Sequence, residues 1–159
     1  MDKQALLDSL REMLRAELRA AERVALETAA AANHPEARPE NDKDTRKIEL
    51  SYLAAGQAAR ARDLEAGLGL LSAIKTRRFY ENDPLEAGAL VEVEVSGKLQ
   101  RVLLAPAGGG LKLSAGGEEV SVVTPQSPLG RGLLGKTVGD SFELSVGPQR
   151  KEVEVVAVE

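Results

Sequence analysis

At Gly88 the hydrophobic period of this chain changes, and no single packing scheme accommodates both sides of the change. From Asp2 to about Asn33 there is neither glycine nor proline. Leu7, Leu10, Leu14 and Leu18 recur there at helical spacing, and Ala21, Val24 and Ala25 continue the stripe. A second helical run starts near Asp44 or Thr45 and continues to about Arg78. In it Leu50, Gln57, Leu64 and Leu71 repeat every seven residues, with Ala54, Ala61 and Leu68 interleaved. That alternation of four and three is a coiled-coil seam, which Gly56, Gly67 and Gly69 weaken. Between the runs, Pro35 and Pro39 stand among polar residues, so the chain turns back. The expectation is an antiparallel helical hairpin with its tip near residues 34–46 and arms roughly 45 Å long. A dimeric coiled coil is the alternative.

Beyond Gly88 the period is two. Leu90–Val95, Val102–Leu104, Leu111–Leu113, Glu119–Val123, Ser141–Val146 and Lys151–Val158 are the expected strands. Gly108–Gly110 and Gly116–Gly117 are expected to close hairpins; the first lacks the lysine and Ser/Thr of a phosphate loop. One helix is written into this half. Ser127 suits its N-cap, Pro128 its first turn and Gly135 its left-handed exit. Asn82, Asp83 and Pro84 mark a boundary, giving an α+β chain with residues 1–80 as a coiled-coil hairpin and 85–159 as a small sheet domain.

Composition narrows the chemistry. Aromatics make up 3 % of the 159 residues, without tryptophan, so no stacking platform for bases is expected. A net charge of −4 does not make the whole chain a nucleic-acid binder. There is no cysteine and one histidine, His34, which excludes disulfides and Cys/His zinc sites and fits a reducing cytoplasm. No apolar stretch approaches a membrane span, so a cytoplasmic protein is expected.

The order of modules, together with Ser127-Pro128-x-x-Arg131-Gly132-Leu133-x-Gly135-Lys136, resembles the Gre transcript cleavage factors of bacterial RNA polymerase. The resemblance implies an N-terminal coiled-coil hairpin and a C-terminal domain of FKBP-like topology. It implies a non-enzymatic elongation factor, a monomer, whose C-terminal domain docks at the rim of the polymerase secondary channel while the hairpin reaches toward the active centre. Polymerase contacts would then fall on Ser127, Pro128, Arg131, Gly132 and Leu133. The family's tip carries two carboxylates that help hold a second Mg²⁺ near the backtracked RNA 3′ end, a metal held jointly with the polymerase; two such ions stabilise attacking and leaving oxygens together.

Tyr52-Leu53-Ala54-Ala55 matches the end of that tip motif. Counting back without gaps places Thr45 at the family's aspartate, Ile48 at its first glutamate and Ser51 at its second. Asp44 and Glu49 each stand one residue away, in opposite directions, and are the candidate catalytic acids, with Asp42 a further acid in the same loop. Three readings stay open: a rebuilt acidic tip that assists cleavage, a tip that occupies the channel without cleaving, or plain solvated charge with Asp44 or Thr45 capping the second helix. Arg131 is needed by no cap and is either a docking residue or a solvated one. A peptidyl-prolyl isomerase, suggested by the implied topology, would want aromatic walls, and Phe142 is the one aromatic after Gly88. A coiled-coil adaptor is the third function class.

Overall fold

The computed structural model describes residues 2–34 and 45–159. Two long helices come first, α1 (Lys3–Asn33) and α2 (Arg46–Ala73). Six strands follow, β1 (Leu90–Val95), β2 (Lys98–Leu104), β3 (Lys112–Ala115), β4 (Glu118–Val123), β5 (Ser141–Val146) and β6 (Gln149–Val158), with α3 (Pro128–Leu133) between β4 and β5. Packing divides the chain into two compact units, one of residues 12–68 and one of residues 1–11 with 69–159.

In the unit of residues 12–68, α1 and α2 run antiparallel. Arg60 Nη2 meets Glu17 Oε2 at 2.7 Å, and Gln57 stands beside Ala21 and Val24, so the contacts advance along one helix as they recede along the other. Leu14, Ala21, Ala61 and Leu64 are buried along the seam expected from their spacing. Alanines at two of these positions let the backbones approach closely. The exposed face carries the local ion pair Glu12–Arg15 at 2.5 Å, worth a few tenths of a kcal/mol at about this helical spacing.

The other unit is built on one mixed sheet in the order β3-β4-β2-β1-β6-β5, antiparallel throughout except for the parallel β2–β4 pair. One face carries Val91, Val93, Val102, Leu104, Val123, Val153 and Val155 in a core closed by Phe79, Leu85 and Leu133. Alternation sends Leu90, Leu103, Leu113, Val120 and Val122 to the opposite face, in register with one another and buried. The first turns of α1 cover that face: Leu6, Leu7 and Leu10 are at most 1 % exposed, and a Cβ on Gly108 would come within 2.6 Å of Leu10 Cδ1. Asp2 starts this helix by accepting the Ala5 N–H at 3.0 Å.

Two expectations are corrected here. Helix α2 stops at Ala73 rather than near Arg78. Ile74 turns toward Gly88, Phe79 enters the sheet core at 3 % exposure, and Arg77 lies 3.7 Å over its ring, so tertiary packing overrides the helical tendency of 74–78. Gly116–Gly117 closes the β3–β4 hairpin with two positive φ angles, as expected. Gly108–Gly110, by contrast, closes no hairpin, because β2 and β3 are not neighbours. The glycine run lies in a connection that carries the chain past β2's edge, leaving β4 to pair there in parallel.

Candidate functional site

Helix α3 concentrates the residues singled out by sequence. Ser127, with φ −77° and ψ 151°, accepts the Gly130 N–H on Oγ at 3.0 Å and donates its own hydroxyl proton to the Thr124 carbonyl at 2.9 Å. Pro128 occupies the first turn, where a missing N–H costs nothing. The exit is tied down by Gly135 N–H to the Leu85 carbonyl and Leu85 N–H to the Lys136 carbonyl, both 2.8 Å. The boundary segment around Asn82–Pro84 is thereby stitched to α3: Val138 N–H also reaches the Glu81 carbonyl at 3.1 Å.

The two glycines of the helix are packing residues. A Cβ on Gly130 would fall 2.0 Å from the Thr124 carbonyl oxygen, and one on Gly132 would fall 2.1 Å from Phe142 Cε2. Leu133 is fully buried in the sheet core. It anchors the helix from beneath. Pro128 and Arg131 of α3 face solvent, as does Leu134 just past its end, 38 % exposed. Arg131 Nη1 donates to the Gln126 carbonyl at 2.8 Å, which lays the guanidinium along the helix entrance and leaves its remaining donors outward. Phe142 is spent against Gly132, so the sheet domain offers no aromatic-walled pocket for an isomerase.

Just past α3, Asp140 accepts the Thr137 N–H at 2.8 Å and the Thr137 hydroxyl at 3.2 Å. The backbone hydrogen bond first, then the hydroxyl, holds its carboxyl below the ordinary aspartate value. Asp83 is lowered in the same way, first by the Tyr80 N–H and then by Arg77.

The other candidate group belongs to the start of α2. Asp42 and Asp44 lie outside the described residues. Glu49 is exposed in the first turn, where the positive end of the helix dipole favours it, and its Oε1 accepts the Thr45 hydroxyl at 3.0 Å. Ser51, at the family's second glutamate position, turns its hydroxyl back to the Lys47 carbonyl at 2.8 Å. Among the described residues no cluster of three His, Asp or Glu side chains is arranged to hold a metal. Ile48 and Tyr52 are 55 % and 75 % exposed at this end of α2.

Sequence reasoning missed one cluster, formed by Lys3, Arg77 and Phe79. Two cations stand over one ring, Lys3 Nζ at 4.9 Å and Arg77 Cζ at 3.7 Å from its centroid. A phenylalanine directly after two arginines in an aromatic-poor chain was the available signal.

Residues 104–159 match the family model for the C-terminal part of the transcription elongation factors GreA and GreB. That span runs from the end of β2 through α3 to the end of β6. No curated protein sequence matches the chain. Among solved structures, GreA factor homolog 1 (Gfh1) of Thermus thermophilus is 22 % identical over 96 % of this chain and 94 % of its own, with a TM-score of 0.38. Gfh1 of Thermus aquaticus is 22 % identical over 93 % and 92 %, with a TM-score of 0.39. A GreA/GreB elongation factor from Nitrosomonas europaea is 24 % identical over 62 % and 78 %, with a TM-score of 0.32.

Proposed function

We propose that this chain, whose residues 104–159 match the family model for the C-terminal part of GreA and GreB, is a Gre-like transcription elongation factor that binds RNA polymerase at the secondary channel and regulates elongation without stimulating RNA cleavage. The reading rests on the start of α2. Where the family resemblance calls for a carboxylate pair, the described positions hold Thr45, Ile48 and Ser51, and the one acid in the first turn, Glu49, is engaged by the Thr45 hydroxyl. Hydrolysis of a phosphodiester with a shared second metal needs carboxylates aimed at that metal. A helix end offering Ile48 and Tyr52 to its surroundings instead suits steric occupation of a channel. The reading gives the protein no cofactor of its own and a cytoplasmic place of work. In this reading the C-terminal unit supplies the docking surface, with Pro128 and Arg131 exposed on α3 and Leu134 exposed just past it.

The test is RNA length in backtracked elongation complexes of the cognate polymerase, with Mg²⁺, with and without this protein. Unchanged RNA together with competition against a known channel-binding factor is the expected result. Rapid 3′ shortening that disappears in Asp44→Ala or Glu49→Ala overturns the non-cleaving reading in favour of a relocated acidic tip and a Mg²⁺ held jointly with the polymerase. The absence of both cleavage and competition overturns polymerase binding itself.

A further inference from the structure

Residues 74–80 form neither helix nor strand, and two cation–ring pairs interleave along them. Arg77 Cζ lies 3.7 Å from the centroid of Phe79, and Arg78 Cζ lies 5.7 Å from that of Tyr80. The first pair is spent on the fold. Phe79 is buried in the sheet core, and Arg77 is neutralised by Asp83 and Glu86, both at 3.0 Å. The second pair repeats that chemistry at the surface. Tyr80 is 64 % exposed, with Arg78 exposed over it. No carboxylate among the described residues, the neighbouring Glu81 included, forms an ion pair with Arg78.

The exposed pair is held in place without being buried. Asp83 Oδ2 accepts the Tyr80 N–H at 3.1 Å, the Asp83 N–H returns to the Tyr80 carbonyl at 2.9 Å, and Arg77 clamps the same carboxylate. The segment is also fastened to the exit of α3, by Val138 N–H to the Glu81 carbonyl at 3.1 Å and by Leu85 N–H to the Lys136 carbonyl at 2.8 Å. We propose that Arg78 and Tyr80 form a second docking contact on RNA polymerase, beside the α3 surface. The group they take is an acidic side chain of the polymerase with an apolar neighbour; this assignment rests on the polymerase reading above. A guanidinium without a carboxylate of its own offers bidentate donors to an acid. The ring beneath it offers a flat apolar wall. Tyrosine and arginine are the side chains that most often anchor interfaces, and order present before binding lowers the entropy lost on docking.

Equilibrium titration of labelled cognate polymerase with the full-length protein and its variants reads the contact. Arg78→Glu and Tyr80→Ala are each expected to weaken binding about tenfold, as loss of an interface anchor does, with the melting temperature unchanged. Lys98→Glu reverses an exposed cation at the start of β2 and is expected to leave affinity within about twofold of wild type. If wild type binds and either Arg78→Glu or Tyr80→Ala binds as tightly, the second contact is overturned while the polymerase reading stands. Equal weakening by Lys98→Glu overturns it too, since general charge attraction then accounts for the effect. Wild type that does not bind overturns the polymerase reading and this contact together. Self-association that is lost in the two variants, with polymerase affinity unmoved, gives the pair to a second copy of the chain instead. Should Tyr80→Ala lower the melting temperature, Arg78→Glu alone decides.

Discussion

Gly132 lies flat against the ring of Phe142, so close that a single added methyl would stand 2.1 Å from Cε2. Arg131, between the two glycines of α3, is exposed, while a Cβ on Gly130 would meet Thr124 and one on Gly132 would meet Phe142. Gly132→Ala is expected to force the ring aside and to destabilise the fold by about 1–3 kcal/mol, the usual range for overpacking. Urea denaturation followed by circular dichroism measures it. Gly130→Ala meets backbone rather than a movable ring and is expected to cost more than Gly132→Ala in the same experiment.

Arg131 and Ser127 separate docking from folding. Ser127→Ala removes the acceptor for the Gly130 N–H and is expected to cost about 0.5–2 kcal/mol of stability. Arg131→Ala is expected to change stability by no more than about 0.5 kcal/mol, the norm for an exposed side chain. Under the proposed function it weakens polymerase binding, and titration of the variant against labelled polymerase checks this. Unchanged affinity would remove Arg131 from the docking surface.

Leu10 belongs to the coiled-coil stripe by spacing but to the sheet unit by packing. Leu10→Ala is expected to destabilise by about 2–5 kcal/mol, as a buried leucine truncation does. Hydrogen exchange would show the lost protection in β2 and β4, whose Leu103 and Val122 share the buried face with it, rather than in residues 12–33.

Acid sensitivity follows from Asp83 and Asp140. Both carboxyls titrate below the ordinary aspartate value of 3.8, held there first by the N–H of Tyr80 and of Thr137 respectively. In the folded state they release protons that the unfolded chain would still bind, so their stabilisation is complete above 3.8 and is lost as pH falls through the lowered folded values. The melting temperature is expected to be insensitive to these two groups at neutral pH and to drop below 3.8. Asp140→Asn should flatten that acid slope, and thermal melts across pH 2–6 would reveal a slope left unchanged.

Glu49→Gln removes a charge from the start of α2 while keeping an acceptor for the Thr45 hydroxyl. Its expected effect on RNA in backtracked complexes is none, and on stability a loss of about 0.3–1 kcal/mol from the dipole interaction.

Local chemistry was enough for much of this protein. Ser127, Pro128 and Gly135 carry the start and stop of α3 in their own backbone preferences, and β1 and β5 have the bounds their alternation predicts. The seam residues Ala61, Leu64 and Leu71 are buried as their heptad spacing requires. What the sequence did not contain was which apolar surface each leucine would meet. Leu10 and Leu14 read identically in a helical pattern, yet they belong to different compact units, because a periodicity specifies a face and not its partner. The parallel β2–β4 pair, the connecting role of Gly108–Gly110 and the early end of α2 are all non-local for the same reason. Gly130 and Gly132 needed the tertiary structure too: local preference explains a glycine that turns the chain, while only Thr124 and Phe142 explain one that makes room.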